Sequence, residues 1–349
     1  MNQNIKTNLH NMLTNLVENG TYTGLAVGIV KDDEILFAGE YGTADISTGD
    51  AVVPSTLFHQ ASVSKTFVAM AVMQLVENGV VELDEPLINY LPYFEMEDER
   101  YGDITIRQLL SHTSGMPDEE DYAWDRPEFD EQSLERYVKS IAPRKLLTEP
   151  GCTFAYSNIG FEILGDVIAK VSGMSFEQYM KENILEPAGM KSSSFLKQEI
   201  EANLAAPHVR KADGSEVYVS EVFPYNRAHA PSSTLYTNVE DMCQCMLMHL
   251  NQGAENGIYN ALKSSSYAEM WKPQASIGEE QESGHIGLSW FLGEHKGIRT
   301  LSHSGWDTGF LSDLFILPDN KIAFIVMTNG DYNDLSSVTF PLLDLLRDQ

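Results

Sequence analysis

The run Phe67-Val68-Ala69-Met70-Ala71-Val72-Met73 has no polar side for a helix to turn to water. If it is helical it must be covered on every side, so the rest of the chain has to be built around it. Directly before it stands Ala61-Ser62-Val63-Ser64-Lys65-Thr66. In a helix, positions three apart share a face, which puts the Lys65 amine beside the Ser62 hydroxyl at the helix N-terminus. A buried ammonium there loses its water and meets the positive end of the helix dipole, and both effects favour the neutral amine. A neutral amine against a serine hydroxyl is a base against a nucleophile. The helix should end at Asn78-Gly79.

Ser-x-x-Lys is a loose pattern that chance supplies about once in a chain of this length. A second match, Ser194-Phe195-Leu196-Lys197, follows Met190-Lys191-Ser192-Ser193 and has no apolar run after it, so it reads as surface coil. Context has to choose between the two.

Composition narrows the context. A chain of 349 residues, 43% hydrophobic, can bury a large core, and its formal net charge of -28 repels phosphate-rich partners. Nucleic acid and anionic membranes are therefore excluded as partners. No apolar run approaches the length of a bilayer span, and Met1-Asn2-Gln3-Asn4 leads into a polar amphipathic segment instead of a secretion signal. Cytoplasmic location is the favoured expectation, with an extracytoplasmic one if a leader was removed. Cys152, Cys243 and Cys245 have no zinc-like spacing and read as reduced, structural thiols. The nine histidines form no His-Glu-x-x-His or other paired spacing, so neither metal nor cofactor is expected. Oligomeric state is not encoded in any pattern found here.

In chain order, residues 3 to 19 read as an amphipathic helix, and 25–30 and 34–38 as two strands joined by Lys31-Asp32-Asp33. From Leu83 to about Met248 helical patterns dominate: a short helix over 106–110, another over 159–171 stopped by Gly173, and a capping-box start at Ser175-Phe176-Glu177-Gln178. Strand patterns return at 286–292, 297–302, 311–317 and 322–327, the last two linked by Pro318-Asp319-Asn320. A closing helix over 335–346 carries Pro341, which implies a kink or a late start. The expected fold is α+β: one antiparallel sheet flanked by the N- and C-terminal helices, with a mostly helical domain inserted. The sheet domain would take residues 1–60 and 250–349, the helical one 61–249, with Ser62 at the seam, where pockets favour forming.

Two short motifs follow Ser62 in order. Tyr156-Ser157-Asn158 precedes a helix, although Tyr236-Thr237-Asn238 also fits Tyr-x-Asn; His303-Ser304-Gly305 closes a predicted strand and leads into Trp306-Asp307-Thr308-Gly309. His285-Ile286-Gly287 and His295-Lys296-Gly297 fit His-x-Gly but lack the small hydroxyl residue between. The loop Ser111-His112-Thr113-Ser114-Gly115-Met116-Pro117 is dense in turn residues, and His112 in it reads as bonded to loop backbone. Residues 118–144 are acidic and aromatic, an insertion lying over a surface that would discourage anionic substrates if it borders the site.

This ordered set resembles the serine β-lactamase and penicillin-binding protein superfamily, and within it the class C β-lactamase-like branch with its DD-carboxypeptidases, D-aminopeptidases and serine esterases. The segments Leu109–Met116 and Ala230–Met242 are similar to that branch as well, which accounts for Tyr236 separately and leaves Tyr156 as the catalytic candidate. The resemblance implies a β-lactamase/transpeptidase-like fold and an acyl-enzyme on Ser62. It makes Lys65 the proton acceptor or relay, and Tyr156 the group that passes a proton to the leaving group and helps activate water. A phenol titrates near pH 10, so Tyr156 needs a cationic Lys65 or His303 beside it to act as a base near neutrality. Asn158 would orient Lys65 and bind substrate together with His303, Ser304 and Gly305, and the backbone N–H groups of Ser62 and Trp306 would form the oxyanion hole. Gly305 suits that role because a missing Cβ lets substrate backbone approach the strand.

One departure matters. Most β-lactamases and penicillin-binding proteins carry lysine where this chain has His303, and histidine holds no permanent charge for a substrate carboxylate. The expected function is therefore hydrolysis of a small-molecule or peptide amide or ester through a covalent intermediate. A true class C-like β-lactamase, and a non-catalytic penicillin-binding or sensing protein, are the alternatives.

Overall fold

The computed structural model describes residues 1–119, 121–200, 202–252, 261–278 and 284–347. Its centre is an antiparallel sheet built from both ends of the chain. The strands are β1 (Gly24–Lys31), β2 (Glu34–Asp45), β3 (Asp50–Ala51), β4 (Ala275–Ser276), β5 (His285–Ile286), β6 (Phe291–His295), β7 (Ile298–Asp307), β8 (Phe310–Leu317) and β9 (Ile322–Thr328), in the order β3-β2-β1-β9-β8-β7-β6-β5-β4. The two ends meet where β1 pairs with β9, Leu25 opposite Thr328. Both faces of the central strands are covered, so their side chains alternate between two apolar clusters, and the runs read as continuously hydrophobic. In β9, Ile322, Phe324 and Val326 belong to one cluster, Ala323, Ile325 and Met327 to the other.

The first cluster is closed by α1 (Gln3–Glu18), capped by Asn2 accepting from the Ile5 N–H, and by the C-terminal helix Ser336–Arg347. Pro341 lies inside that last helix and does not delay its start. Burial of Val338, Leu342, Leu343 and Leu346 outweighs the one hydrogen bond that proline cannot donate.

The other cluster joins the sheet to the helical block: α2 (Ser64–Glu77), α3 (Ile106–Leu110), α4 (Ser133–Ser140), α5 (Asn158–Ser172), α6 (Phe176–Met180), α7 (Ala230–Ser233), α8 (Val239–Asn251) and α9 (Ser264–Met270). Every residue of α2 from Ser64 to Met73 is buried, as its uninterrupted apolar sequence requires. α8 lies on the sheet itself, so close to β1 that a Cβ on Gly28 would stand 2.8 Å from Cys243 Sγ. Cys243 and Cys245 are buried free thiols of this layer, and Cys152 is exposed.

Two strand expectations need correcting. The run 286–292 is broken between β5 and β6, with Ser289 at φ 72°. There Leu288 N–H donates to Met270 O and Ser289 N–H to Leu110 O, so the backbone serves the helical block and leaves the ladder. The strand expected to stop at 302 continues as β7 to Asp307, which places the His303-Ser304-Gly305 motif within a strand.

Candidate active site

Ser62 lies in a 3₁₀ turn, Ala61–Val63, that runs straight into α2. Ala61 adopts φ 46°, a left-handed conformation that costs a residue with a Cβ, and the turn is held from outside. Ser312 Oγ donates to Gln60 O at 2.7 Å, Gln60 N–H donates to Leu235 O, and Leu235 N–H donates to Ser64 Oγ at 3.0 Å. Ser64, the middle of the motif, thus has a structural task of its own.

Lys65 is fully buried and donates from Nζ to Ser62 Oγ at 2.9 Å and to the Ser232 carbonyl at 2.8 Å. Tyr156 and Phe161 present their rings to it, with centroids 5.2 and 5.7 Å from Nζ. Burial pulls its pKa down to about 8, against the opposing pull of Glu162, Asp307 and Asp118. A roughly one-tenth neutral fraction at pH 7 follows.

Tyr156 stands on the loop before α5, stacked on His112 with centroids 4.2 Å apart. Burial raises its pKa, and the Ser62 hydroxyl only partly offsets that. His112 has the unusual φ of 53° and is fixed by Ser157 N–H donating to its Nδ1 at 3.1 Å, so the loop-backbone expectation holds. The same ring also seats the phenol.

The strand motif supplies the opposite wall. β6 ends opposite Ser302, so His303 to Asp307 are paired on the β8 side alone. His303 is buried, its Nδ1–H donates to Ser304 O at 2.9 Å, and burial drives its pKa down to about 3. It is neutral, with its bare Nε2 buried and unpartnered among the described residues. Tyr156 therefore lacks a cationic histidine, and with its own pKa raised it rests as a phenol, whereas Lys65 has a neutral fraction near neutrality. Strand alternation sends Ser304 to the other face, where its hydroxyl lies against Asp313, while Trp306 is 73% exposed. Gly305 earns a different explanation from the expected one: a Cβ there would lie 2.2 Å from Gln60 O, so glycine lets the strand approach the Ser62 turn itself.

Asn158 caps no lysine here. Its backbone N–H and Nδ2 both donate to Asp118, at 2.8 and 3.0 Å, in place of the expected contact with Lys65. The structure thus gathers Ser62, Lys65, Tyr156, His303 and the Gly305-Trp306 backbone, and leaves the Asn158 amide and the Ser304 hydroxyl on other partners. Tyr236 lies apart in a two-stranded ribbon with Phe58–His59, and His295 pairs with Asp344. Among the described residues no helix is long and apolar enough to cross a membrane, and no three His, Cys, Asp or Glu side chains cluster as metal ligands would.

Sequence patterns missed the groups that hold Lys65. Ser232 supplies its carbonyl, and behind it the fully buried Glu162 accepts from Ser232 Oγ at 2.5 Å. Asp307, beside the strand motif, is held by His59 Nε2 at 2.8 Å and by Ser233. One signal existed: Glu162 is a carboxylate inside the apolar run of α5, one helical turn after Asn158.

A beta-lactamase family profile matches residues 9–346. Protein flp of Staphylococcus aureus (strain MW2) is 26% identical over 317 residues, 90% of this chain, and the chain spans 61% of that relative's length. The octameric penicillin-binding protein homologue from Pyrococcus abyssi superposes with TM-score 0.84 at 24% identity, over 98% of this chain and 77% of that one. D-amino acid amidase from Ochrobactrum anthropi SV3, solved with L-phenylalanine, gives TM-score 0.81 at 22% identity, over 98% and 99%.

Proposed function

The chain belongs to the beta-lactamase family, and on that footing we propose that it is an acyl-serine hydrolase acting on amides, peptides or esters through Ser62. The observation that carries this is the fully buried Lys65 with Nζ 2.9 Å from Ser62 Oγ. The neutral amine takes the hydroxyl proton as Oγ bonds to the substrate carbonyl carbon, giving a tetrahedral oxyanion. The backbone N–H groups of Ser62 and Trp306 are the donors assigned to that oxyanion. When the leaving group departs it takes the proton from the lysine ammonium, with the Tyr156 phenol as relay, and water then releases the acyl group by the same steps in reverse.

The substrate side follows from charge. Neutral His303 offers no cation to a carboxylate, and Asp118 and Asp307 both act on Lys65 electrostatically, so the cleft has a negative bias. An amide or ester without a carboxylate beside the scissile bond fits this better than a β-lactam does. The amidase among the structural relatives supports the amide reading, and the family's name keeps the β-lactamase alternative in the test.

An aryl ester and a chromogenic cephalosporin, each assayed with the wild type and with Ser62→Ala, separate the readings. Ester turnover that vanishes with Ser62→Ala supports the proposal, cephalosporin turnover of comparable efficiency supports the β-lactamase, and absence of both supports a binding protein. Full activity in Ser62→Ala contradicts the mechanism.

A further inference from the structure

The proposed base, Lys65, has an arrangement behind it that the reaction scheme does not use. α7 lies so close to α5 that a Cβ on Gly165 would stand 2.1 Å from Pro231 Cγ, and this approach delivers Ser232 to Glu162. The Glu162 carboxylate, fully buried, takes three contacts: Ser232 Oγ donates to Oε1 at 2.5 Å, Ser232 N–H to Oε2 at 3.3 Å, and His229 Nδ1 lies 3.1 Å from Oε1. Ser232 is therefore gripped by both its hydroxyl and its amide, and its carbonyl is the one that receives Lys65 Nζ. His229 is itself boxed edge-on by Tyr122, Trp124 and Tyr137. A buried carboxylate is costly unless it is well partnered. A fold that needed only packing at this point of an apolar helix would be served by an aliphatic residue.

We propose that Glu162 is the positioning residue of the catalytic base: through Ser232 it fixes the carbonyl that aims Lys65 at Ser62, and it sets a buried carboxylate behind the lysine. This rests on the acyl-serine reading above. The balance on Lys65 is set by the groups that face it. Glu162 comes from α5, Asp118 and His112 from the loops beside it, Tyr156 from the loop before α5, and Asp307 and His303 from β7. Of these the carboxylates raise the pKa of Lys65, Glu162 most of all, while burial lowers it further than they restore.

The test is the pH profile of kcat/KM for an aryl ester, measured on wild type, Glu162→Gln, Ser232→Ala and Ser62→Ala, with folding of each checked by circular dichroism. In the wild type the rate rises with pH through the Lys65 pKa of about 8. Glu162→Gln removes a negative charge, so the midpoint should move down by about one pH unit. Its amide keeps only one of the two oxygens that Ser232 uses, Oε1 for the hydroxyl and Oε2 for the N–H, so the plateau should fall about 10- to 100-fold. Ser232→Ala keeps the carboxylate, so the midpoint should stay in place while the plateau drops several-fold. A folded Glu162→Gln whose midpoint is unmoved overturns the proposal. If Glu162→Gln does not fold, a wild-type plateau in Ser232→Ala overturns it instead. Wild-type activity in Ser62→Ala would remove the serine reading itself, whereas a Ser62→Ala that loses its activity beside a wild-type Glu162→Gln profile removes this inference alone.

Discussion

The chain carries the same four-residue pattern twice, at Ser62–Lys65 and Ser194–Lys197, and the two copies hold serine and lysine in opposite geometries. At the first, the backbone is helical from the serine onward, so three positions bring Nζ to 2.9 Å from Oγ. At the second, Ser194 is not the surface coil its sequence suggests. It is buried and bridged to Tyr236, and its hydroxyl donates to Glu199 Oε2 at 2.9 Å. Lys197 turns away, its Nζ 3.9 Å from the centroid of Phe223. Burial lowers the pKa of both lysines. A depressed lysine therefore does not by itself set an amine against a serine hydroxyl. Register decides, because extended backbone separates side chains that a helical turn brings together.

The comparison breaks most visibly at the serines. Ser62→Ala should cost on the order of 10⁴-fold or more in ester turnover, while Ser194→Ala should leave turnover near wild type; equal losses would mean that register was the wrong criterion. Next come the lysines. Lys65→Met should lose about 10²- to 10⁴-fold, the range of a removed general base. Lys197→Met should keep its rate and lower the melting temperature slightly, since a cation over an aromatic ring contributes about 0.5–1 kcal/mol. The wild-type pH profile sharpens the same contrast: the base must be deprotonated, so activity climbs as pH rises through about 8, and a profile flat from pH 6 to 9 would take Lys65 out of that role. The smallest effect is in specificity. His303→Lys should favour esters bearing a carboxylate by about tenfold over neutral ones, roughly 1.4 kcal/mol, read as the ratio of kcat/KM values.

Much of this was written plainly in the sequence. A helix apolar all round, strand runs apolar on both faces and an ordered set of short motifs constrain the layers, because each can be satisfied in few ways. What local pattern could not supply were contacts made across the chain. Ser289 leaves its strand to serve Leu110, Gly305 is small for Gln60, and Asn158 answers to Asp118; each of these depends on a partner far away in sequence. The acidic stretch read as an insertion over a surface turned out to supply Asp118, Tyr122 and Trp124 around the site, Glu120 lying outside the described residues. Glu162 is the instructive miss. Periodicity explains why apolar residues recur, and it is silent about why one position in their midst is charged.

The central claim is that helical register singles out Ser62. The most direct measurement is intact-protein and peptide mass spectrometry after exposure to a slow-turnover acylating aryl ester at pH 8. One acyl group should be found, on the peptide containing Ser62, and it should be absent when Lys65→Met is treated for the same time. An acyl group on the peptide containing Ser194, or equal labelling of both serines, would contradict the account.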